Sequence, residues 1–223
     1  MDRRSLAEEV ARRLVRAYGR RSRRVDDPFD VLVRTILSQN TTDVNSHRAF
    51  RRLKERFPTA ADLASAAVED IEDAIRAGGL HQRKAQVIKS VAQVIRDRGI
   101  DLRELEPREL QQLLLSLDGV GPKTVACVLL FGLGTDVLPV DTHVYRVSRR
   151  IGLIGEVTRE RAQAQLELIT PRRIRYELHL LLIEHGRRVC TARNPSCDRC
   201  VLRDICRYGR LASGMSKVQA PDG

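Results

Sequence analysis

Apolar residues recur along this chain at intervals of three and four and almost nowhere alternate. Between Ser5 and Tyr18, the residues Leu6, Val10, Leu14 and Val15 fall on one helical face. Asp27-Pro28 reads as a helix start, an N-cap aspartate followed by proline at the first helical position. Phe29, Leu32, Val33, Ile36 and Leu37 form its inward face. "SQNTTD" interrupts, and Asp43 is expected to cap the next stripe, Phe50, Leu53 and Phe57, which Pro58 ends. Thr59 caps a short helix to Leu63, and another spans about 68–75. "AGGLHQRK" reads as a turn, Lys84 to Arg98 as helix, and Pro107 as the start of a helix to Leu115. A helix follows "LDGVGPKT". Another starts at Val140-Asp141 and reaches Ile151. Two more lie near Thr158 to Ile169 and from Arg172 to His185, the last stopped by Gly186. Residues 210–223 read as polar and frayed. The pattern predicts an all-α protein of roughly ten short helices joined by tight turns, with no strand and no internal repeat.

Composition narrows this picture. At 223 residues the chain fits one large domain or two small ones. A lack of tryptophan, few other aromatics and plentiful Leu, Ala, Arg and Glu favour helix. The formal net charge of +11 makes a surface that attracts polyanions, DNA or RNA first among them. An Arg-rich genome or heat adaptation would leave the same balance. No apolar run approaches the roughly 20 residues that cross a bilayer. The basic N-terminal stretch lacks the apolar core of a signal peptide. The expectation is a soluble, intracellular, cytoplasmic protein.

Two stretches carry chemistry. In "LDGVGPKTVACVLL" the glycines Gly119 and Gly121 flank Val120 between two helices, a helix-hairpin-helix pattern. Glycines admit backbone torsions that other residues resist and leave room for a phosphate. The N–H groups and dipole of the second helix then face that phosphate, and such a grip reads no base sequence. Alternatively this is an ordinary glycine turn. Lys123, one of only five lysines, sits in the first turn of that helix. The positive end of the helix dipole disfavours an ammonium there, which makes it a candidate Schiff-base nucleophile; a solvated phosphate-binding lysine is the plainer reading. Eighteen residues on, "VDTHV" places Asp141 at a helix start, as a simple N-cap or as a carboxylate partner of Lys123.

The second stretch is "CTARNPSCDRCVLRDIC", with Cys190, Cys197, Cys200 and Cys206. Four thiolates within seventeen residues suit zinc or an iron–sulfur cluster better than disulfides in a reducing compartment. Spacing alone leaves zinc and iron open. Arg187, Arg188, Arg193 and Arg199 make the neighbourhood basic. Cys127 lies among Val125, Val128 and Leu129 and reads as a small buried hydrophobe.

Taken together, "LDGVGPKT", the step to "VDTHVYRV", "ILSQNTTD", "GLHQRKA" and the terminal cysteines resemble endonuclease III, of the helix-hairpin-helix DNA glycosylase superfamily, over roughly 27–206. The resemblance implies two helical lobes with a DNA-binding cleft between them. A six-helix barrel with the hairpin would occupy 25–136, and 1–24 with 137–223 would hold a 4Fe-4S cluster on the four cysteines. It implies a bifunctional DNA glycosylase and abasic-site lyase acting on oxidised pyrimidines in duplex DNA, as a monomer. Lys123 would attack the sugar, Asp141 would support the cationic transition state, and β-elimination would cut the strand. Leu80 would enter the base stack, Asn40 would lie near the orphaned base, and His143 would lie by the flipped nucleotide's backbone. Gly119, Val120, Gly121 and Arg193 would meet phosphates. Bacterial members commonly have glutamine where Asn40 stands, which bears on opposite-base preference. Members that only remove the base lack the lysine. The rival readings are a non-catalytic DNA-binding protein with a zinc knob and a monofunctional mismatch glycosylase.

Overall fold

The computed structural model describes residues 2–212, so the tail expectation for 213–223 lies outside the described residues. Among the described residues there are twelve α-helices and no strand. They are α1 (Arg3–Tyr18), α2 (Pro28–Leu37), α3 (Asp43–Arg56), α4 (Ala60–Ser65), α5 (Val68–Ile75), α6 (His81–Asp97), α7 (Pro107–Leu115), α8 (Pro122–Gly132), α9 (Thr142–Ile151), α10 (Arg159–Ile169), α11 (Arg172–Arg188) and α12 (Arg207–Ala212). No helix among them is long and apolar enough to cross a membrane. The chain divides into two compact units, Arg24–Thr135 and the joined segments Met1–Arg23 and Asp136–Gly223.

Side-chain caps account for many of the starts. Asp27 accepts the Asp30 N–H ahead of α2, with Pro28 at the first position. Thr59 and Asp62 close a reciprocal capping box on α4. Three boundaries differ from expectation. Thr42, not Asp43, caps α3, accepting the Asn45 N–H, and Asp43 becomes the first helical residue, where its charge meets the helix dipole. α6 begins at His81, three residues early, because Leu80 takes a left-handed conformation that turns the chain directly into the helix. Arg210 and Leu211 are helical in α12 rather than frayed.

In the unit Arg24–Thr135 the central element is α8. Thr124 to Leu130 are all buried, an apolar surface all round that only an interior helix can satisfy. α2 and α7 pack against it, and α4 and α5 pack against α6. Gly132 permits the α2 approach, since a Cβ there would lie 2.8 Å from the Pro28 Cα. Leu32, Ile36, Leu53, Ile88 and Leu130 are fully buried, each contributing about 1.5–3 kcal/mol. Cys127 is buried among them, as expected.

In the other unit α11 lies against α1 and α9, around Leu14, Val147, Leu178 and Leu182. Gly186 was expected to stop this helix and does not; α11 runs on to Arg188. Gly186 is instead a packing residue, because a Cβ there would come within 3.0 Å of the His143 Cβ.

Candidate functional site

The glycine hairpin joins α7 to α8, and its two glycines do different work. Gly119 has φ +82°, and a Cβ there would meet Val87 Cγ2 of α6 at 2.6 Å, so both backbone and packing demand glycine. Gly121 has an ordinary φ of −95°, and nothing lies within 4 Å of where its Cβ would be. Its bareness serves no internal contact. It leaves the start of α8 open, and no side chain caps that helix. Val120 is buried, so only its backbone can face a ligand. Lys123 follows, half-buried in the first turn of α8. Beside it, Gln39 of the α2–α3 loop brings Nε2 to 3.5 Å from Thr124 Oγ1, which sets that loop against the lysine-bearing turn.

Two further loops of this unit are strained. Asn40 (φ +51°) and Leu80 (φ +48°) are the two non-glycine residues with positive φ among the described residues. Such a conformation costs about 1–3 kcal/mol and persists where the surroundings impose it. Asn40 is exposed at the tip between α2 and α3, and Leu80 is 57% exposed ahead of α6. An apolar side chain presented to solvent on a strained turn has a shape suited to insertion.

In the other unit, Asp141 caps α9, its Oδ1 accepting the Val144 N–H at 2.7 Å. The preceding segment is pinned from two helices. The Leu138 N–H donates to Glu167 of α10, and His179 of α11, 2% exposed, holds the Pro139 carbonyl at 2.9 Å. His143 is half-buried in the first turn of α9. Burial lowers its pKa, with the nearby Asp141 charge opposing and Arg146 and Arg187 assisting. Arg146 Nη2 lies 3.1 Å from His143 Nδ1. The same guanidinium donates to the carbonyls of Gly186 and Cys190.

The four cysteines line one cavity, together with Arg150, His185 and Tyr208. Four sulfurs around one cavity can hold zinc or an iron–sulfur cluster. Burial pushes the Cys200 thiol up to about 11 and raises Cys206 as well, so bound iron is what would make both thiolates. The Leu202 and Gly209 N–H groups point at the sulfurs of Cys200 and Cys206, each at 3.4 Å. Arg150 donates to the Cys190 sulfur and to the carbonyls of Thr191 and Ala192, which shapes the loop that presents the exposed Arg193. Arg187, Arg188 and Arg199 are exposed as well.

An uncapped helix start behind a bare glycine in one unit, and a four-sulfur cavity under an arginine-bearing loop in the other, define a helix-hairpin-helix protein of DNA repair that carries an iron–sulfur cluster. Residues 33–172 match the family described as HhH-GPD superfamily base excision DNA repair protein, and residues 190–206 match the iron-sulfur binding domain of endonuclease III. Endonuclease III of Thermotoga maritima is 35% identical over 92% of this chain and 94% of its own length. That of Sulfolobus acidocaldarius is 38% identical over 81% and 82%. A solved non-covalent endonuclease III–DNA complex superposes with a TM-score of 0.84 at 28% identity, covering 96% of this chain and all of that one. The chain belongs to the endonuclease III family. It is a base excision repair DNA glycosylase of the glycosylase and abasic-site lyase class, its partner is DNA, and its cofactor is a 4Fe-4S cluster.

Gly119, Gly121, Lys123, Asn40 and Leu80 thus belong to one unit, and Asp141, His143, Arg193 and the four cysteines to the other. Sequence reasoning missed Gln39, Lys84, Arg146, Arg150 and His179. A lysine or histidine at a helix's apolar phase was the available signal for Lys84 and His179. Nothing in the sequence marked the others.

Proposed function

We propose that the chain removes oxidised pyrimidines such as thymine glycol from duplex DNA and cuts the resulting abasic site. The observation that carries this reading is Lys123 in the first turn of an uncapped helix behind an open glycine. An extruded nucleotide whose phosphate rests on that helix start has its sugar near an amine. The Lys123 amine attacks C1′ as the C1′–N bond breaks, and the departing base takes up a proton. The sugar ring opens to an imine. Loss of a C2′ proton then expels the 3′ phosphate by β-elimination. Asp141, oriented by its bond to the Val144 N–H, offsets the positive charge that develops on the sugar. Leu80 fills the gap left by the extruded nucleotide, and Asn40 faces the orphaned base. His143 lies beside the backbone of the extruded nucleotide.

The backbone around Val120 and the side chain of Arg193 hold further phosphates. Cys190, Cys197, Cys200 and Cys206 hold the cluster, which cross-links the loop carrying Arg193. On this reading 25–136 is the hairpin domain and 1–24 with 137–223 the cluster domain, and the enzyme acts as a monomer on DNA in the cytoplasm. The test is excision from duplexes that each carry one defined lesion, thymine glycol, an 8-oxopurine or a normal mispair. Release confined to the oxidised pyrimidine supports the proposal. Release confined to the mispair would replace it with the mismatch reading.

A further inference from the structure

Lys84 lies in α6 and is 3% exposed, yet among the described residues no carboxylate pairs with it. Its Nζ donates to two backbone carbonyls, Leu37 O and Gly78 O, each at 2.8 Å. These two carbonyls come from segments some forty residues apart in sequence. Leu37 is the last residue of α2, three residues before Asn40. Gly78 closes the 3₁₀ turn Arg76–Gly78, two residues before Leu80. One buried ammonium thus joins the roots of the two loops whose tips hold the two positive-φ non-glycine residues.

Other contacts point the same way. Gly78 is itself buried, and a Cβ there would sit 3.3 Å from the Ala49 Cβ of α3, so the helix after the first loop packs on the root of the second. The 3.5 Å approach of Gln39 to Thr124 links the first loop to the turn bearing Lys123. The choice of side chain is informative too. The chain carries 40 Lys and Arg but only five lysines, and none of the four lysines among the described residues is exposed. Arginine supplies the surface charge. At Lys84 a slim, three-donor head reaches two backbone oxygens inside the protein. Burying an ammonium without a counter-ion is costly, and the two carbonyl hydrogen bonds offset that cost. Lys84 is pressed toward its neutral form by this burial.

We propose that Lys84 is a positioning residue, a clamp that sets the loops of Asn40 and Leu80 in fixed relation so that both sides of the extruded nucleotide's gap are filled together. The inference rests on the role proposed above for those two tips. Its physical core, that the ammonium couples the two loops, does not.

The test is the holoenzyme with Lys84→Met, which keeps length and apolar bulk and removes both donors. Lys89→Met is the control, because Lys89 lies on the same helix but donates to Ala66 O, at the α4–α5 junction. Amide hydrogen exchange of 38–42 and 78–82 reads the coupling without reference to activity. K84M is expected to speed exchange in both segments together while K89M leaves both as in the wild type. Its melting temperature should fall by a few degrees with the cooperative transition kept, because the Leu37 and Gly78 carbonyls lose their donor. Excision of thymine glycol should fall about ten-fold or more, whereas cleavage of a preformed abasic site, which needs no base extruded, should fall less than about three-fold.

Loosening of only one loop, unchanged exchange in both, or global unfolding of K84M would overturn the proposal. So would equal losses on the two substrates. Joint loosening in an enzyme whose wild type excises no base would leave the clamp standing and remove the function read into it.

Discussion

Replacing Gly119 and Gly121 separately by alanine should split the hairpin's two duties. At Gly119 the backbone stands at φ +82°, which costs an alanine about 1–2 kcal/mol. The new Cβ would also lie 2.6 Å from Val87 Cγ2, an overpacking that costs about 1–3 kcal/mol. The sum, about 2–5 kcal/mol, is a large share of a typical folding free energy. For a chain of this size it lowers the melting temperature by on the order of 10 °C. At Gly121 the backbone suits alanine and the methyl meets nothing, so stability should change by less than about 1 kcal/mol. The methyl would instead stand where a phosphate approaches the start of α8. Affinity for a duplex with one abasic site should fall about ten-fold, roughly 1.4 kcal/mol. Thermal melts and fluorescence anisotropy at one fixed salt concentration read the two effects. A Gly121→Ala protein that binds DNA like the wild type, or a Gly119→Ala protein that melts like it, would refute this division of labour.

Three other outcomes follow from the same geometry. Asp141→Asn preserves an N-cap and should melt within about 0.5 kcal/mol of wild type, whereas Asp141→Ala should lose about 1 kcal/mol; both should lose base excision, which separates the cap from the chemistry. Burial lowers the pKa of Lys84 below 10.5, so between its folded value and 10.5 the unfolded chain binds the proton that the folded chain has released. Wild type should therefore gain stability relative to Lys84→Met as pH rises through that window, read by urea melts at several alkaline pH values; a constant difference would contradict the lowered pKa. Changing Cys200 or Cys206 to alanine should abolish the brown colour and the iron content of the purified protein and weaken DNA binding, while Cys127→Ala should keep both, as checked by absorbance and metal analysis.

Much of the fold was legible because this chain punctuates its helices with side chains that act locally. Asp27-Pro28, Thr59 and Pro107 fix starts by their own hydrogen bonds and ring geometry, so they could be read without knowing what lies beside them. Gly186 shows the opposite case. Glycine commonly ends helices, but here the requirement comes from His143, forty-three residues away in sequence, whose Cβ leaves no room for another. Leu80 capping α6 in a left-handed turn was hidden because leucine is a poor choice for that conformation. Of the site, the hairpin, the lysine and the cysteines are contiguous motifs and were readable. Lys84, Arg146 and Arg150 act by donating to carbonyls far along the chain, Leu37, Gly186 and Thr191 among them. Their partners are set by packing, and only the place of Lys84 on the apolar face of its helix marked any of them locally.

The most direct test of the central claim is borohydride trapping on duplex DNA carrying one abasic site, with wild type and Lys123→Ala side by side. Lys123 is half-buried in the first turn of α8, where alanine suits the helix, so the variant should fold and bind DNA. A covalent protein–DNA adduct in the wild type that disappears in Lys123→Ala is the predicted result, and it names the nucleophile. An adduct of equal yield in the variant would assign the imine to another amine. No adduct from a folded, DNA-binding wild type would contradict lysine-imine chemistry altogether.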